Sequence, residues 1–253
     1  MSIADQILRA KEDYDNVYDA GKGKGYTEGY DRGFDEGENE MLRDMWDALQ
    51  KGGKREDYNN AFRETAITDA MFKPIYDMQP TTAYHMFFGN DGITDLKNIP
   101  VKLDFSKCVE IQRAFYGMLN TNTGIGLKRV GIIDCRSLET WRGSFAGLFD
   151  WDIYLEEVEK IILPDSDDVS FNSCFNACYA LTEIRFEGFI LQDISFADCP
   201  LSRESIESVI NALSPSVSGK TLTLNIHAKD SAFSDSEWDA LISAKSNWTI
   251  SLV

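Results

Sequence analysis

The chain has 253 residues, 43% of them hydrophobic and 26% charged, which gives room for one or two domains and argues against wholesale disorder. Its net charge of −17 repels phosphate backbones and anionic lipid surfaces, so general nucleic-acid binding and membrane-surface docking are both disfavoured. No apolar run approaches the roughly 20 residues of a membrane span, and the opening MSIADQILRAKEDYD lacks the basic and apolar regions of a signal peptide. Five cysteines without paired spacing point to reduced, buried thiols and folding in a reducing cytoplasm.

Residues Ile3 to Tyr18 read as an amphipathic helix. The next stretch places Gly25, Gly29, Gly33 and Gly37 every fourth residue, with Tyr26, Tyr30 and Phe34 one position on. Each Gly costs a free helix about 1 kcal/mol relative to Ala. Two readings stay open: a helix stable only when packed against another copy or a partner, or a flexible acidic linker. The first makes Tyr18, Gly25, Tyr26, Gly29, Tyr30, Gly33 and Phe34 candidate oligomerisation or attachment residues. Gly52-Gly53 ends a further helix around Met45 and Trp46, and Pro74 and Pro80 mark the entry to a new region.

From there the chain repeats. The heptapeptides AYHMFFG, IQRAFYG, WRGSFAG and FNSCFNA each place Phe fifth, at Phe87, Phe115, Phe145 and Phe175, a nearly even spacing. Each is followed by a pair such as Ile93-x-x-Leu96 or Leu181-x-x-Ile184, then by a short β-branched or aromatic run such as Val130-Gly131-Ile132-Ile133. One helical turn and one strand at this period predict a solenoid whose stacked units share a core.

The run Ile162-Leu163-Pro164-Asp165-Ser166, followed by Phe175-x-x-Cys178-x-x-Leu181-x-x-Ile184, resembles the BspA-like leucine-rich repeats over roughly residues 80 to 200. The other units are looser: Asn90 stands where Cys is usual, and Phe115 and Phe145 have longer gaps before their Leu. The chain also resembles proteins from tail and structural modules of phages and prophages of gut Gram-positive bacteria, through its acidic N-terminus and Asp57-Tyr58-Asn59-Asn60-Ala61-Phe62. The resemblance implies an α+β fold: a leucine-rich-repeat solenoid of about four irregular repeats, set at the Phe-to-Phe spacing. The expected domains are an N-terminal helical attachment segment (1–52), a helical cap (53–80), the repeats (81–200) and a C-terminal α/β cap (201–253).

In the last part, Ile206, Val209, Ile210 and Leu213 have helical spacing behind a predicted N-cap at Ser202. Thr221 to Ile226 alternates as a strand, with His227 at its end. Ser234 and Glu237 form a predicted capping box for a helix to Ala244, and Trp248 to Leu252 closes as a strand.

Signals for chemistry are weak. His85 and His227 lack a nucleophile pattern. Cys174-x-x-x-Cys178 is not a zinc spacing. Gly23-Lys24-Gly25 lacks the Ser/Thr of a phosphate loop, and Asp165-Ser166-Asp167-Asp168 lacks the Gly and Glu of an EF-hand. No catalytic residue, metal site or cofactor is therefore expected. Binding is expected where the repeat carries insertions, at Met118–Gly126 and Leu148–Tyr154. The candidate residues are Asn120, Asn122, Phe149, Trp151 and Tyr154, aromatics beside short polar side chains. The same aromatics could instead patch an irregular repeat.

Together these readings, with the resemblance, give an expectation of a non-enzymatic virion protein, a phage tail or baseplate component binding a host-surface glycan or protein. Its other partners would be itself or further virion proteins, through the N-terminal helices. The alternative is a bacterial adaptor or surface adhesin that binds another protein, with a cytoplasmic location in place of the virion.

Overall fold

The structure, a computed structural model, describes residues 63, 79–90, 92–98, 104–120, 124–138, 145–166 and 169–253. Its organising feature is a column of tight turns. Two residues before and two residues after the central Phe of each turn, the backbone is left-handed. The first position holds His85, Arg113, Gly147 and Ser173; the second holds Gly89, Gly117, Trp151 and Ala177. This geometry aims the central N–H at the following turn. Phe87 donates to the Ala114 carbonyl (2.7 Å), Phe115 to Leu148 (3.1 Å) and Phe149 to Cys174 (2.9 Å).

The rings follow the backbone. Phe87, Phe115, Phe149, Phe175 and Phe196 stack in sequence, with centroids 5.6, 5.2, 5.9 and 4.6 Å apart. All five are buried, and each offset-stacked pair adds about 0.5–1.5 kcal/mol beyond burial. This register corrects the expected one. Phe149, not Phe145, lies in the column, and Phe145 stacks on Phe171 instead (5.0 Å). The stacked positions are unevenly separated along the chain, farthest apart between Phe115 and Phe149 and closest between Phe175 and Phe196, so the expected even period is not present. Leu148–Tyr154 is consequently no insertion: Phe149 precedes Leu155 by the same interval that separates Phe87 from Ile93. The extra length lies at 118–126, where β1 (Leu119–Asn120) and β2 (Ile125–Gly126) form a small antiparallel pair.

Opposite the turns, β3 (Arg129–Asp134), β4 (Glu157–Ile162) and β5 (Glu183–Glu187) make a parallel sheet. Val130, Val158 and Ile184 lie side by side and point into the core, as do Ile133, Ile161 and Phe186. The segment before β3 contributes only a single bridge, Asp95 to Arg129. Beyond β5 the sheet stops, because helix α1 (Arg203–Ala212) covers its edge. The Ser205 hydroxyl accepts the Ile184 N–H at 2.9 Å, and the Ser208 hydroxyl accepts that of Phe186 at 3.2 Å.

A second parallel sheet joins β6 (Ile194–Phe196), β7 (Lys220–Leu224) and β8 (Trp248–Leu252). Between its strands lie α2 (Ile226–Ala232) and α3 (Asp235–Ser243). Ser202 caps α1, and Ser234 with Glu237 forms the expected capping box of α3. Helix α2 was not expected. Asn225 ends the predicted strand early by accepting the N–H groups of His227 and Ala228, so His227 belongs to a helix.

These findings overturn the leucine-rich-repeat solenoid. The described residues form an α+β fold with three helices and two small parallel three-stranded sheets. A strand from each unit does not add to one continuous ladder: among the described residues the first unit supplies only the isolated bridges Thr82–Glu110 and Asp95–Arg129, and serine hydroxyls on α1 terminate the sheet at β5.

Ser205 Oγ accepts a buried strand N–H that no neighbouring strand reaches, so Ser205→Ala is expected to lower unfolding free energy by about 1–3 kcal/mol in urea titrations. Ser208→Ala is expected to cost less, because Phe186 is only half-buried.

Candidate binding surface

Trp151 combines two costs that packing does not offset. It is left-handed (φ +67°) and 52% exposed. A left-handed backbone costs an L-residue roughly 1–2 kcal/mol, and a bulky residue there is an outlier. Its counterparts in the first two turns are glycines. Gly89 donates to the Tyr116 carbonyl, Gly117 to that of Asp150, and Trp151 to that of Asn176 (3.0 Å). The indole is thus held outside a backbone position that the column otherwise gives to Gly or Ala.

Polar and aromatic groups adjoin it along the chain and across the next turn. The Asn176 amide donates to the Asp150 carboxylate at 2.7 Å. Tyr179, three positions beyond Asn176, is 58% exposed. Tyr154 is half-buried and packs on the β1–β2 pair. A Cβ on Gly126 would come within 2.7 Å of the Tyr154 ring and 2.8 Å of the Met118 carbonyl, so only glycine lets this ring lie there. Ile125 on β2 is exposed.

Asp152 fastens the Trp151 turn to this pair. Its Oδ1 accepts the Met118 N–H at 2.6 Å, while its other oxygen has no hydrogen-bond partner. The side chain is 1% exposed. Burial pushes its pKa well above the ordinary carboxyl range, opposed by the Met118 hydrogen bond and reinforced by the Asp150 charge. The folded chain therefore favours a neutral acid here.

The expected site residues separate accordingly. Trp151 is exposed, Tyr154 lies against the β1–β2 pair, and Asn120 is in β1. Phe149 is corrected: it is fully buried between Phe115 and Phe175 and presents nothing to a ligand. Asn122 lies outside the described residues, as do Tyr18, Gly25, Tyr26, Gly29, Tyr30, Gly33 and Phe34. The Asp150–Asn176 pair and Tyr179 were missed. Aligning the third turn on Phe149 would have placed Trp151 under Gly89 and Gly117 and exposed the anomaly.

Other places offer less. A cavity of about 530 Å³ lies between Leu96–Lys97, Asp104–Ser106 and β3. Its two cations are engaged, Lys97 with Glu157 and Arg136 with Asp134. The five thiols are buried and form no disulfide with one another. Burial pushes that of Cys108 up to about 12 and raises the other four as well, which suppresses the reactive thiolate. His85 is lowered to about 4 by burial, then by the Arg63 and Arg113 charges. It stacks on Tyr84 in the first turn, whereas His227 belongs to α2. Among the described residues no group of three or more His, Cys, Asp or Glu could hold a metal ion, and no helix is long and apolar enough to cross a membrane.

Comparison with known proteins adds no relative: no family model, no curated protein and no solved structure matches the chain.

Since Asp152 binds its proton more tightly when folded, its stabilising contribution is full below the unfolded value of about 3.9 and is lost as pH rises through the folded value. Asp152→Asn keeps an acceptor for Met118 without the titration. Thermal melts at pH 4 and pH 8 are expected to show a smaller loss of Tm across that range in the variant than in the parent.

Proposed function

We propose that this chain is a non-enzymatic recognition protein, a structural component of a bacteriophage tail or baseplate that binds a host-surface glycan or protein through the face carrying Trp151. The observation that carries the reading is the exposed indole on a left-handed backbone. Strain retained at an exposed aromatic fits a binding anchor better than a packing role, because glycine would relieve the strain without leaving a hole. The Asp150–Asn176 pair offers hydrogen-bonding groups beside it, and Tyr179 and Ile125 are further exposed apolar side chains on neighbouring elements.

The phage setting rests on the resemblance of the acidic N-terminus and the Asp57–Phe62 box. In this reading the protein is made in the host cytoplasm and carried on the virion. The Gly/Tyr segment would attach it, to further copies or to other virion proteins. The net charge of −17 keeps such a protein soluble at high local concentration and away from the packaged genome.

The test uses the full-length protein and purified cell walls of gut Gram-positive bacteria. Trp151→Ala and Trp151→Gly are each expected to weaken wall binding at least about ten-fold, the effect of losing one tryptophan anchor. The glycine variant is expected to be about 1 kcal/mol more stable than the alanine variant, because only alanine keeps the left-handed penalty. Wall binding that both variants retain would refute the site.

A further inference from the structure

Among the described residues, the second sheet ends on a strand with one unpaired edge. Pairing with β7 runs the whole length of β8, from Lys220 beside Trp248 to Leu224 beside Leu252. No described residue pairs with its other edge. The N–H of Val253 donates to the Leu224 carbonyl, so the odd-numbered residues turn their backbone groups toward β7. By alternation, Ile250 and Leu252 turn their N–H and C=O groups outward.

Two other described sheet edges are at least partly covered. Serine hydroxyls of α1 cover β5. On β3, Leu96 donates to the Arg129 carbonyl, and the charged Asp95–Arg129 pair lies beside it. Natural edges are guarded by charge, proline or a covering element. Trp248-Thr249-Ile250-Ser251-Leu252-Val253 has no charged residue and no proline, and Thr249, Ile250 and Val253 are β-branched.

We propose that β8 is a self-association edge, where a second copy of this chain adds its own β8. Charge selects this occupant. Two copies of a chain carrying −17 repel one another least where an uncharged strip meets an uncharged strip. A basic partner would seek the carboxylates that this strip lacks. Identical edges meet about a twofold axis, which makes the new pairing antiparallel. With the axis at Ile250, that residue exchanges both backbone hydrogen bonds with Ile250 of the partner subunit. Thr249 then faces Ser251 of the partner subunit in a non-hydrogen-bonded pair, with Cα atoms about 4.5 Å apart. The two sheets join into one of six strands.

The test is the solution mass of the full-length protein by light scattering after size exclusion. The expected value is about twice the 28.6 kDa chain mass, halved in the double variant Thr249→Lys, Ser251→Lys. Thr249 is exposed and Ser251 half-exposed, so both lysines reach water, and circular dichroism checks that the variant is folded. A second variant, Thr249→Cys with Ser251→Cys, is expected to give a covalent dimer on non-reducing gels after mild oxidation. The described native thiols are buried and stay out of that reaction. A single-chain mass at every concentration would overturn the proposal. So would an oligomer whose mass the lysine pair leaves unchanged, or a cysteine variant that does not cross-link.

Discussion

The rest of the structure depends on a backbone constraint two residues either side of the first four stacked phenylalanines, Phe87, Phe115, Phe149 and Phe175. Left-handed residues at both positions bend the chain so that the central amide points at the next turn while its ring points inward. Hydrogen bonding and ring stacking then act along the same column. Neither would suffice alone. The amides would have equivalent partners in water, giving each hydrogen bond a net worth of only about 1 kcal/mol. The rings could collapse in many registers. Coupled, they leave one register, in which Phe149 is enclosed and Phe145 is diverted onto Phe171. Three of the turns use a non-glycine residue at the first left-handed position, His85, Arg113 and Ser173, so the column offsets repeated strain.

What limits the column's strands is competition for edge hydrogen bonds. At β5 the competitors are the Ser205 and Ser208 hydroxyls, presented by α1 with its helical spacing. Ser205 is itself fixed, because its N–H donates to the capping Ser202 side chain. A capping interaction at the start of one helix thereby decides where a sheet ends. The chain resumes pairing only after this helix, as β7 and β8 beside β6, which is why two small sheets form.

Local signals were readable from residue types, and long-range registers were not. Ser202 before an Ile/Val stripe, and Ser234 with Glu237, announce α1 and α3 because caps act within one turn. Asn225 carried the same signal for α2, but the alternating Thr221 to Ile226 run masked it. The choice between Phe145 and Phe149 could not be made by spacing, since both are buried aromatics one helical turn apart in sequence and only contact with Phe115 separates them. That one-turn slip propagated into the site. It made Leu148–Tyr154 look like an insertion, put Phe149 on the surface, and hid the correspondence of Trp151 with Gly89 and Gly117. The apolar periodicity of the strands was real, yet it carried no information about serine hydroxyls that replace a neighbouring strand.

The placement of Trp151 follows from the same column that stabilises the fold. At the left-handed position after the third ring, a bulky side chain has no room inside, because Phe115, Phe149 and Phe175 already fill the core there. Its equivalents are Gly89, Gly117 and the buried Ala177, small residues that limit strain or fit inside. Tryptophan at that position costs stability, and the backbone hydrogen bond from its N–H to the Asn176 carbonyl fixes where the side chain leaves the turn. Asp152 continues this logic one residue on. Its buried acid sacrifices solvation to tie the turn to the β1–β2 pair through Met118.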